Sequence, residues 1–272
     1  MVTVVMPLYN AAKTIELSLN SIKEQTRFDY IKEIIVVNDG STDESLEITE
    51  QFVCNNKDMP IRIVSQPNAG AAAARNTGIV LAQTKYVAFL DADDVWLPQK
   101  LEKQIETIAN HPEIRFLGTG WEEKGIRIGF KKIKELYNGS VKDVCIKNFP
   151  VTPSVLMEKA IFDEIGMFNP GLRYAEDINF FQKVAAKGNY YFLPEKLVQI
   201  DVGKDFFAES GQSANLKEMH KGTLRNIKEL RENEDISYVF WFMMRIFYQM
   251  KYWRRIIMRN VRLLGKRKAN NK

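Results

Sequence analysis

The first 110 residues alternate short apolar segments with longer segments of helical character, and this alternation constrains the fold more than any other feature. The apolar segments are VTVVM, EIIVV, IRIVS and KYVAFL, and a segment that favours a helix follows each of them. Strands that alternate with helices along a chain predict a mainly parallel sheet. Because these strands are apolar throughout, we expect helices to flank the sheet on both faces. The predicted fold class is therefore α/β.

Local signals refine this prediction. A capping box, with Ser41 as the N-cap residue and Glu44 three residues later, predicts the start of the second helix. The small-residue segment AGAAAARNTGIVLAQ predicts a helix that packs closely on the sheet. Beyond about residue 114 the pattern loosens: MEKAIFDEIGMF and AEDINFFQKVAAKG are predicted to be helical, and YYFL and KLVQI to be strands. Residues 118–152 show no clear period.

Composition excludes several classes of protein. The chain has 272 residues, of which 45% are hydrophobic and 27% charged, and these values are typical of a globular rather than a disordered protein. The two cysteines, Cys54 and Cys145, lie far apart, which favours a reducing compartment over a disulfide framework or a metal site. The N-terminal residues indicate a strand rather than a signal peptide. No apolar run reaches the roughly 18 residues that a membrane-spanning helix needs.

Polar residues follow each predicted strand. They are Tyr9 and Asn10, residues 38–40, residues 66–68, and residues 91–94. In open α/β sheets, ligands bind beyond the carboxyl ends of the strands. We therefore expect these four groups to converge on one edge of the sheet and to form a binding site there.

The last of these groups, in the segment FLDADD, gathers three carboxylates: Asp91, Asp93 and Asp94. Asp91 and Asp93 are two residues apart, and a turn would let both face one cation. Carboxylate oxygens suit Mg²⁺ or Mn²⁺, and phosphate oxygens could fill the remaining coordination positions. The alternative is that these aspartates cap the next helix or form a turn.

Two further clusters lie at strand ends. In VVNDGSTD, Gly40 permits a tight turn and Asp39 offers a carboxylate to a base or ribose donor. In NAGAAAARNTG, small residues allow a close approach of the backbone, and Arg75 suits either a phosphate or a carboxylate of the acidic cluster. The second segment lacks the Gly-Lys-Ser/Thr ending of a Walker loop.

The segments VVMPLYN, VVNDGSTD, NAGAAAARNTG and FLDADD, in this order and spacing, resemble the motifs of the family 2 inverting nucleotide-sugar glycosyltransferases, which have the GT-A fold. The resemblance covers about residues 1–215. It implies a GT-A domain over residues 1–215, with a nucleotide-binding half (1–115) and an acceptor-side half (116–215). Residues 216–272 would form a helical extension.

The resemblance also implies roles for individual residues. Tyr9 would lie against the uracil ring, and Asp39 would accept a hydrogen bond from N3–H of the base, which selects a UDP- or dTDP-sugar. Asp91 would lie near the ribose and sugar, and Asp93, with Asp91 beside it, would hold Mn²⁺ or Mg²⁺ on the diphosphate. The full implied donor site consists of Pro7, Tyr9, Asn10, Asp39, Asn68, Arg75, Asp91 and Ala92.

The segment GLRYAEDINFF resembles the acceptor-side Glu-Asp of the same family, and a Gly-x-Phe sequence, GMF, precedes it. An inverting transfer is a direct displacement by an acceptor hydroxyl, which must lose its proton to a base as it attacks. We assign Asp177 as that base, with Glu176 beside it. The alternative is that both side chains only stabilise the N-terminus of a helix.

The sequence departs from the family pattern at one point. Many relatives carry a histidine after the last strand that helps to ligate the metal, whereas the corresponding stretch here, DFFAESGQSANL, contains none. Glu209 or Ser213 could replace it, or the diphosphate could be held without a further protein ligand.

The C-terminal segment carries the positive charge of the chain. From Ile236 onwards there are 10 Lys and Arg residues and no Asp or Glu, although the whole chain has a net charge of only +5. An apolar stripe at helical spacing runs along residues 246–264, through Ile246, Met250, Trp253, Ile257, Val261 and Leu264, with basic residues on the opposite side. This pattern predicts contact with an anionic membrane surface. The alternatives are a helix that packs its stripe on the domain or, less favoured because no motif accompanies the charge, a nucleic-acid contact.

These observations predict a cytoplasmic enzyme, peripheral on the inner face of the membrane, that moves a sugar to a saccharide acceptor. A lipid-linked acceptor in surface polysaccharide synthesis would fit, and nothing in the sequence opposes an oligomer. A non-catalytic nucleotide-sugar-binding scaffold is the alternative, although a scaffold has no need to keep Asp39, Asp91, Asp93 and Asp177 together. A nucleotidyltransferase is disfavoured because PLYNAAKT supplies no Gly-rich loop after the first strand.

Overall fold

The computed structural model of the protein describes residues 1–123, 125–202 and 215–270, with side chains up to residue 261 in the last range. The chain divides into two compact units, Met1–Phe206 and Phe207–Lys272. The predicted domain boundary at residue 215, and the predicted halves 1–115 and 116–215, stay predictions.

The first unit begins with the strand–helix alternation that the sequence predicts. Its elements are β1 (Val2–Leu8), α1 (Ile15–Lys23), β2 (Ile31–Asn38), α2 (Ser45–Asn55), β3 (Ile61–Ser65), α3 (Ala71–Leu81), β4 (Tyr86–Phe89), β5 (Val95–Trp96) and α4 (Lys100–Asn110). A short 3₁₀ turn, Phe28–Tyr30, precedes β2. Strands β3, β2, β1 and β4 lie side by side in this order and are all parallel. Their carboxyl ends therefore meet at one edge of the sheet, as predicted.

The rest of the first unit extends the same sheet. Its elements are β6 (Phe116–Gly120), β7 (Arg127–Ile128), β8 (Lys131–Lys132), β9 (Tyr137–Asn138), α5 (Val141–Ile146), a 3₁₀ turn (Thr152–Ser154), β10 (Leu156–Glu158), α6 (Ile161–Ile165), α7 (Glu176–Ala186), β11 (Tyr191–Lys196) and β12 (Val198–Gln199). Within the described residues the main sheet has eight strands, in the order β3-β2-β1-β4-β10-β6-β11-β9. Two small pairings, β12 with β5 and β7 with β8, lie outside it.

One predicted helix is wrong at its start. The segment MEKAIFDEIGMF begins as β10, which inserts between β4 and β6 and runs antiparallel to both. Leu156 and Met157 are buried because sheet neighbours and helices enclose this short strand. A strand that is apolar on both faces has no alternation along the chain, so its periodicity does not distinguish it from a buried helix.

Helices cover both faces of the sheet, as the apolar strands predict. Alternate residues of β1 and β2 enter different hydrophobic clusters, for example Val5 and Ile35 on one face and Val4 and Ile34 on the other. Helices α3 and α7 contribute to the first cluster, and α1 and α4 to the second. The core therefore consists of two layers, one on each side of the strands that end at the predicted site.

The small residues of α3 allow the close packing that the sequence predicts. A Cβ atom added at Gly78 would lie 2.3 Å from Cγ1 of Val5 on β1. Ala72 and Ala74 on the same helix are buried against the sheet. The backbone of α3 therefore approaches β1 closely, and this approach fixes the position of Arg75, which is buried on the same helix.

The predicted capping box of α2 is wrong. The helix begins at Ser45, and Ser41 lies outside it. The hydroxyl of Ser41 accepts a hydrogen bond from the backbone N–H of Asn10, and Asp43 accepts from the N–H of Ser45. Ser41 therefore stabilises the neighbouring loop after β1 rather than the helix.

The second unit contains two helices, α8 (Leu216–Glu232) and α9 (Tyr238–Asn270), that pack against each other. The ring of His220 on α8 stacks on the ring of Tyr252 on α9, with 4.5 Å between centroids. The predicted C-terminal helix is thus confirmed. Among the described residues, no helix combines the length and the apolar character that crossing a membrane requires.

Candidate active site

The residues that follow the parallel strands form one connected group, as predicted. Hydrogen bonds join the loop after β1 to the loop after β2, and the loop after β2 to the loop between β3 and α3. The turn after β4 joins this group through Arg75 on α3. The candidate site is therefore the edge of the sheet where β1, β2, β3 and β4 end.

Asp39 organises the loop after β2. It is only 2% exposed, and its carboxylate accepts from Nε2 of Gln66 at 2.7 Å and from the N–H groups of Ala69 at 2.9 Å and Gly70 at 2.8 Å. Gly70 has φ +91°, which favours glycine, and it is the N-cap residue of α3. The carboxylate thus satisfies backbone donors at the start of α3, where negative charge is stabilising. Its two oxygens have about four acceptor positions, so one remains for a further donor.

The loop after β1 is held in a defined conformation. Asn10 has φ +48°, and its side-chain oxygen accepts from the N–H of Thr42 at 2.8 Å. Its own N–H donates to the hydroxyl of Ser41 at 3.2 Å. Next to it, the ring of Tyr9 is 52% exposed. Pro7 is the penultimate residue of β1, and the amide of Asn68 donates to the backbone oxygen of Asp39 at 3.0 Å.

The acidic residues of the turn after β4 differ in how exposed they are. Asp91 and Asp93 are partly exposed, whereas Ala92 and Asp94 are buried. Asp94 accepts from the N–H of Asp201 at 2.8 Å, so it connects this turn to the chain that follows β12. Burial, followed by repulsion from Asp91 and Asp93, raises the pKa of Asp94 to about 8. Asp94 therefore has a structural position, and Asp91 and Asp93 are the carboxylates that a ligand can reach.

Arg75 connects the two acidic groups. It is 5% exposed, and its Nη2 donates to Oδ1 of Asp91 at 2.7 Å while its Nη1 lies 3.4 Å from Oε1 of Glu176. Burial alone would lower the pKa of the guanidinium, but Asp91 and Glu176 outweigh burial and raise it. The sequence suggests either a phosphate or a carboxylate as the partner of Arg75, and in the structure Arg75 contacts carboxylates.

Glu176 and Asp177 form the second acidic group, at the N-terminus of α7. Burial, and then repulsion from Asp177, raises the pKa of Glu176 to about 7, and burial also raises the pKa of Asp177. Ala175, which caps the helix, has φ +59°, a conformation that residues other than glycine rarely adopt. Strain of this kind is often found at functional sites. The pair thus retains a proton up to near-neutral pH and can take up or release one there.

The donor atoms fit a hard cation that takes most of its ligands from a bound molecule. Asp93 offers a partly exposed carboxylate, and one oxygen of Asp91 is engaged by Arg75. Among the described residues, no group of three or more His, Cys, Asp and Glu side chains is arranged to hold a metal ion. Such a site suits Mg²⁺ or Mn²⁺ with diphosphate and water oxygens as the other ligands. Glu209 and Ser213, the suggested additional ligands, lie outside the described residues.

Sequence reasoning missed several residues that hold the site together. Gln66 connects Asp39 to Thr77, whose hydroxyl donates to it at 2.6 Å. Asn76 makes two hydrogen bonds to the backbone of Phe168, 92 residues further along the chain. Gln66 belongs to the predicted polar group 66–68 after β3, so its position was predicted and only its hydrogen bonds to Asp39 and Thr77 were missed. The partner of Asn76 has no signal in the sequence.

Comparisons with known proteins agree with the family that the motifs resemble. The model of the family described as Glycosyl transferase family 2 matches residues 3–157. An uncharacterized glycosyltransferase of Rickettsia felis is 32% identical over 219 residues, which cover 76% of this chain and 34% of that protein. The putative teichuronic acid biosynthesis glycosyltransferase TuaG of Bacillus subtilis is 43% identical over 107 residues, which cover 39% of this chain and 41% of that protein. The chain thus spans about a third of the length of the first of these curated relatives.

Solved structures show the same fold. TarS residues 1–349 of S. aureus in complex with UDP-GlcNAc matches with a TM-score of 0.70 and 21% identity, over 91% of this chain and 71% of that chain. The mannosyltransferase PcManGT of Pyrobaculum calidifontis in complex with GDP-Man and Mn²⁺ matches with a TM-score of 0.65 and 20% identity, over 85% of this chain and 64% of that chain. These matches confirm the predicted GT-A fold.

Proposed function

Because the chain belongs to glycosyl transferase family 2, we propose that it transfers a sugar from a UDP- or dTDP-sugar to an acceptor hydroxyl, with inversion at the anomeric carbon. The observation that carries this proposal is the bridge of Arg75 between Asp91 and Glu176. It holds a donor-side carboxylate and an acceptor-side carboxylate on one buried guanidinium. A direct displacement needs the base on the face of the reacting carbon opposite the leaving diphosphate, so the spacing between the donor-side and acceptor-side carboxylates matters.

The loops after β1, β2 and β3 supply the nucleotide site. The exposed ring of Tyr9 offers a face on which a base can stack, and Asp39 keeps one acceptor position for N3–H of a uracil or thymine. Asn68 and Pro7 would border the nucleotide, and Asn10 fixes the loop that carries Tyr9. The ligand of TarS, UDP-GlcNAc, supports a uridine nucleotide as the donor.

The turn after β4 receives the diphosphate and the sugar. Asp93 and the exposed part of Asp91 would hold Mn²⁺ or Mg²⁺, and the small side chain of Ala92 between them would leave room for the sugar. The Mn²⁺ in the PcManGT complex supports this choice of ion. A bound divalent ion offsets the negative charge that develops on the leaving diphosphate.

Asp177, with Glu176 beside it, removes the acceptor proton. As the acceptor oxygen forms its bond to the anomeric carbon, its O–H bond breaks and the proton moves to the carboxylate of Asp177. The bond from the anomeric carbon to the diphosphate oxygen breaks with its electron pair staying on that oxygen, and the nucleoside diphosphate leaves. The raised pKa values of the Glu176–Asp177 pair match a base that works near neutral pH.

The acceptor is a saccharide of a bacterial-type surface polysaccharide, and a lipid-linked saccharide fits the second unit of the chain. The similarity to TuaG, a putative teichuronic acid biosynthesis glycosyltransferase, supports the polysaccharide assignment. A lipid-linked acceptor would require the enzyme to work at the cytoplasmic face of a membrane.

The exposed face of α9 supports an anionic membrane surface as a partner. Ile246, Met250, Trp253, Ile257 and Val261 lie on one face of the helix, and each is between 48% and 63% exposed. Arg254, Arg255 and Arg259 are exposed as well, and no acidic residue follows Ile236. An apolar stripe beside basic side chains matches an interface of acyl chains and anionic headgroups.

Sedimentation with phosphatidylglycerol-containing vesicles tests the membrane contact. The full chain should sediment, and sedimentation should fall as salt rises because salt screens the basic residues. Trp253→Ser combined with Ile257→Ser should lose sedimentation at low salt, whereas Lys32→Gln combined with Arg62→Gln, two exposed changes in the first unit, should not. Sedimentation that the stripe variant retains in full would contradict the contact.

A screen of donors tests the function itself. The full chain is incubated with UDP-, dTDP- and GDP-sugars, with and without Mn²⁺, and release of the nucleoside diphosphate is measured with saccharide acceptors present. We expect release from a UDP- or dTDP-sugar that requires the metal ion. Tight UDP binding without release from any donor would instead favour the non-catalytic scaffold.

A further inference from the structure

Asn76 holds the backbone of Phe168 from both sides. Its amide Nδ2 donates to the carbonyl oxygen of Phe168 at 2.8 Å, and its Oδ1 accepts from the N–H of Phe168 at 3.1 Å. Asn76 follows Arg75 on α3, whose close packing on β1 fixes its position. Phe168 lies between α6 and α7, outside any regular element.

The ring of Phe168 fills the space between the two sides of the candidate site. It is 1% exposed, and its centroid lies 5.6 Å from the ring of Phe89 on β4 and 4.4 Å from the ring of Phe180 on α7. The guanidinium of Arg75 lies over the same ring, 5.6 Å from its centroid. The ring of Phe168 thus contacts β4 and α7, the two elements next to the acidic groups, and also the arginine that bridges those groups.

The two rings that Phe168 contacts lie close in sequence to the acidic residues of the candidate site. Phe89 precedes Asp91 by two residues on the donor side. Phe180 follows Glu176 by four residues and Asp177 by three, so the three share one face of α7. A displacement of Phe168 would therefore move the first turn of α7 relative to the end of β4.

We propose that Asn76 is a positioning residue that sets, through Phe168, the distance between the carboxylates of α7 and the donor-side turn after β4. Asn76 itself touches neither the donor nor the acceptor. The proposal rests on the proposed function for the identity of Asp177 as the base. The two hydrogen bonds at Phe168 keep α7 in a fixed position relative to α3. The distance between the base that receives the acceptor proton and the anomeric carbon depends on this position.

The chain contains a matched control at the opposite edge of the sheet. Asn189 also clamps backbone: its Oδ1 accepts from the N–H of Arg115 at 2.8 Å and of Phe116 at 3.2 Å, and its Nδ2 donates to the carbonyl oxygen of Glu113 at 2.6 Å. These bonds lie at the start of β6. Because β10 is antiparallel to both β4 and β6, the start of β6 is at the edge away from the candidate site.

The test compares Asn76→Ala with Asn189→Ala in the full chain. We expect Asn76→Ala to lower kcat by about 10- to 100-fold, the scale of a small misplacement of a reacting group, while the donor KM and the affinity for UDP stay within about twofold. Amide hydrogen exchange across residues 176–180 should become faster. Asn189→Ala should lose thermal stability to a comparable extent but keep kcat and the exchange rates of residues 176–180. Phe168→Leu, which keeps the backbone hydrogen bonds and removes the ring, should lower kcat as Asn76→Ala does.

Three results would overturn the proposal: a kcat of Asn76→Ala within twofold of wild type, equal losses of kcat in Asn76→Ala and Asn189→Ala, or unchanged exchange at residues 176–180. If Asn76→Ala fails to fold, the Phe168→Leu variant decides by the same two measurements. A wild-type protein that transfers sugar from no donor would contradict the proposed function, and hydrogen exchange would still decide whether Asn76 holds α7.

Discussion

The donor side and the acceptor side of the candidate site are built by different kinds of packing. On the donor side, α3 approaches β1 so closely that Gly78 has no room for a Cβ atom. On the acceptor side, α7 packs through aromatic rings: Phe180 stacks on Phe168, and Phe181 meets Phe116 edge to face. The backbone of α3, packed directly on a buried side chain of β1, gives the nucleotide loops a fixed frame. Rings packed on rings make the position of α7 depend on single side chains such as Phe168.

This difference suggests that the two sides of the site contribute to different steps. Variants on the donor side should change binding of the nucleotide, and variants at the start of α7 should change turnover. Arg75 is the connection between the two sides, because its guanidinium contacts Asp91 and Glu176 at once.

The largest effect is expected on the acceptor side. Asp177→Asn removes the proposed base and should lower kcat by about 100-fold or more, the usual scale for loss of a general base. The affinity for UDP, measured by calorimetry, should stay within about twofold, because a base acts only in the transition state. Asp163→Asn, an exposed change on α6, is the control and should alter neither value. Turnover near the wild-type rate in Asp177→Asn would move the base to another residue, with Glu176 first.

The counterpart on the donor side is Asp93→Ala. If Asp93 holds the metal ion on the diphosphate, this change should lower the affinity for UDP in the presence of Mn²⁺ by roughly 10- to 100-fold. Calorimetry with UDP and Mn²⁺, repeated with EDTA, measures it. Asp58→Ala, at an exposed turn between α2 and β3, serves as the control. An affinity that stays high and remains sensitive to EDTA would show that Asp93 is not the ligand.

The donor side could be predicted from the sequence in greater detail than the acceptor side, and the two kinds of packing explain why. Four parallel strands with apolar runs and polar ends are local features, so the positions of Asp39 and Asp91 followed from the strand that precedes each of them. The short strand β10 could not be predicted, because burial on both faces removes its alternation. The clamp between Asn76 and Phe168 joins residues 92 positions apart, and no local pattern encodes it. The Ser41 capping box failed because a tertiary contact with Asn10 used the hydroxyl.

The acid limb of the pH profile should come from the acceptor side alone. Glu176 has a pKa raised to about 7, so the Glu176–Asp177 pair takes up a proton as the pH falls through that value. We expect kcat to decrease about tenfold per pH unit below this point, since only the deprotonated pair can accept the proton of the acceptor. Glu176→Gln removes this titrating group and should move the limb to lower pH. A limb that stays in place in that variant would assign it to a different group.

Thermal stability should move in the opposite direction over the same range. The raised pKa values of Glu176 and Asp94 mean that these two groups bind more protons in the folded protein than in the unfolded chain between about pH 5 and pH 8. Their contribution to stability therefore falls as the pH rises through this range and is regained on acidification. A melting temperature that does not decrease from pH 8 to pH 5, while kcat does, would separate loss of the base from unfolding. A parallel decrease of both would contradict this assignment.

The smallest effect is expected from Gly78→Ala, which tests the close packing on the donor side. In a helix, alanine is favoured over glycine by about 1 kcal/mol, so without a tertiary contact the variant would be more stable. Here the new Cβ would lie 2.3 Å from Cγ1 and 3.0 Å from Cγ2 of Val5, a buried β-branched side chain with little rotamer freedom. Overpacking of this kind costs about 1–3 kcal/mol, so we expect the strain to exceed the gain and the variant to be less stable than wild type.

At about 2–4 °C per kcal/mol for a chain of this size, a thermal melt of Gly78→Ala should show a decrease of a few degrees. Val80→Ala, an exposed change on the same helix, should leave the melting temperature nearly unchanged. A Gly78→Ala variant that melts higher than wild type would show that β1 and α3 separate easily, and the contrast between the two kinds of packing would then be wrong.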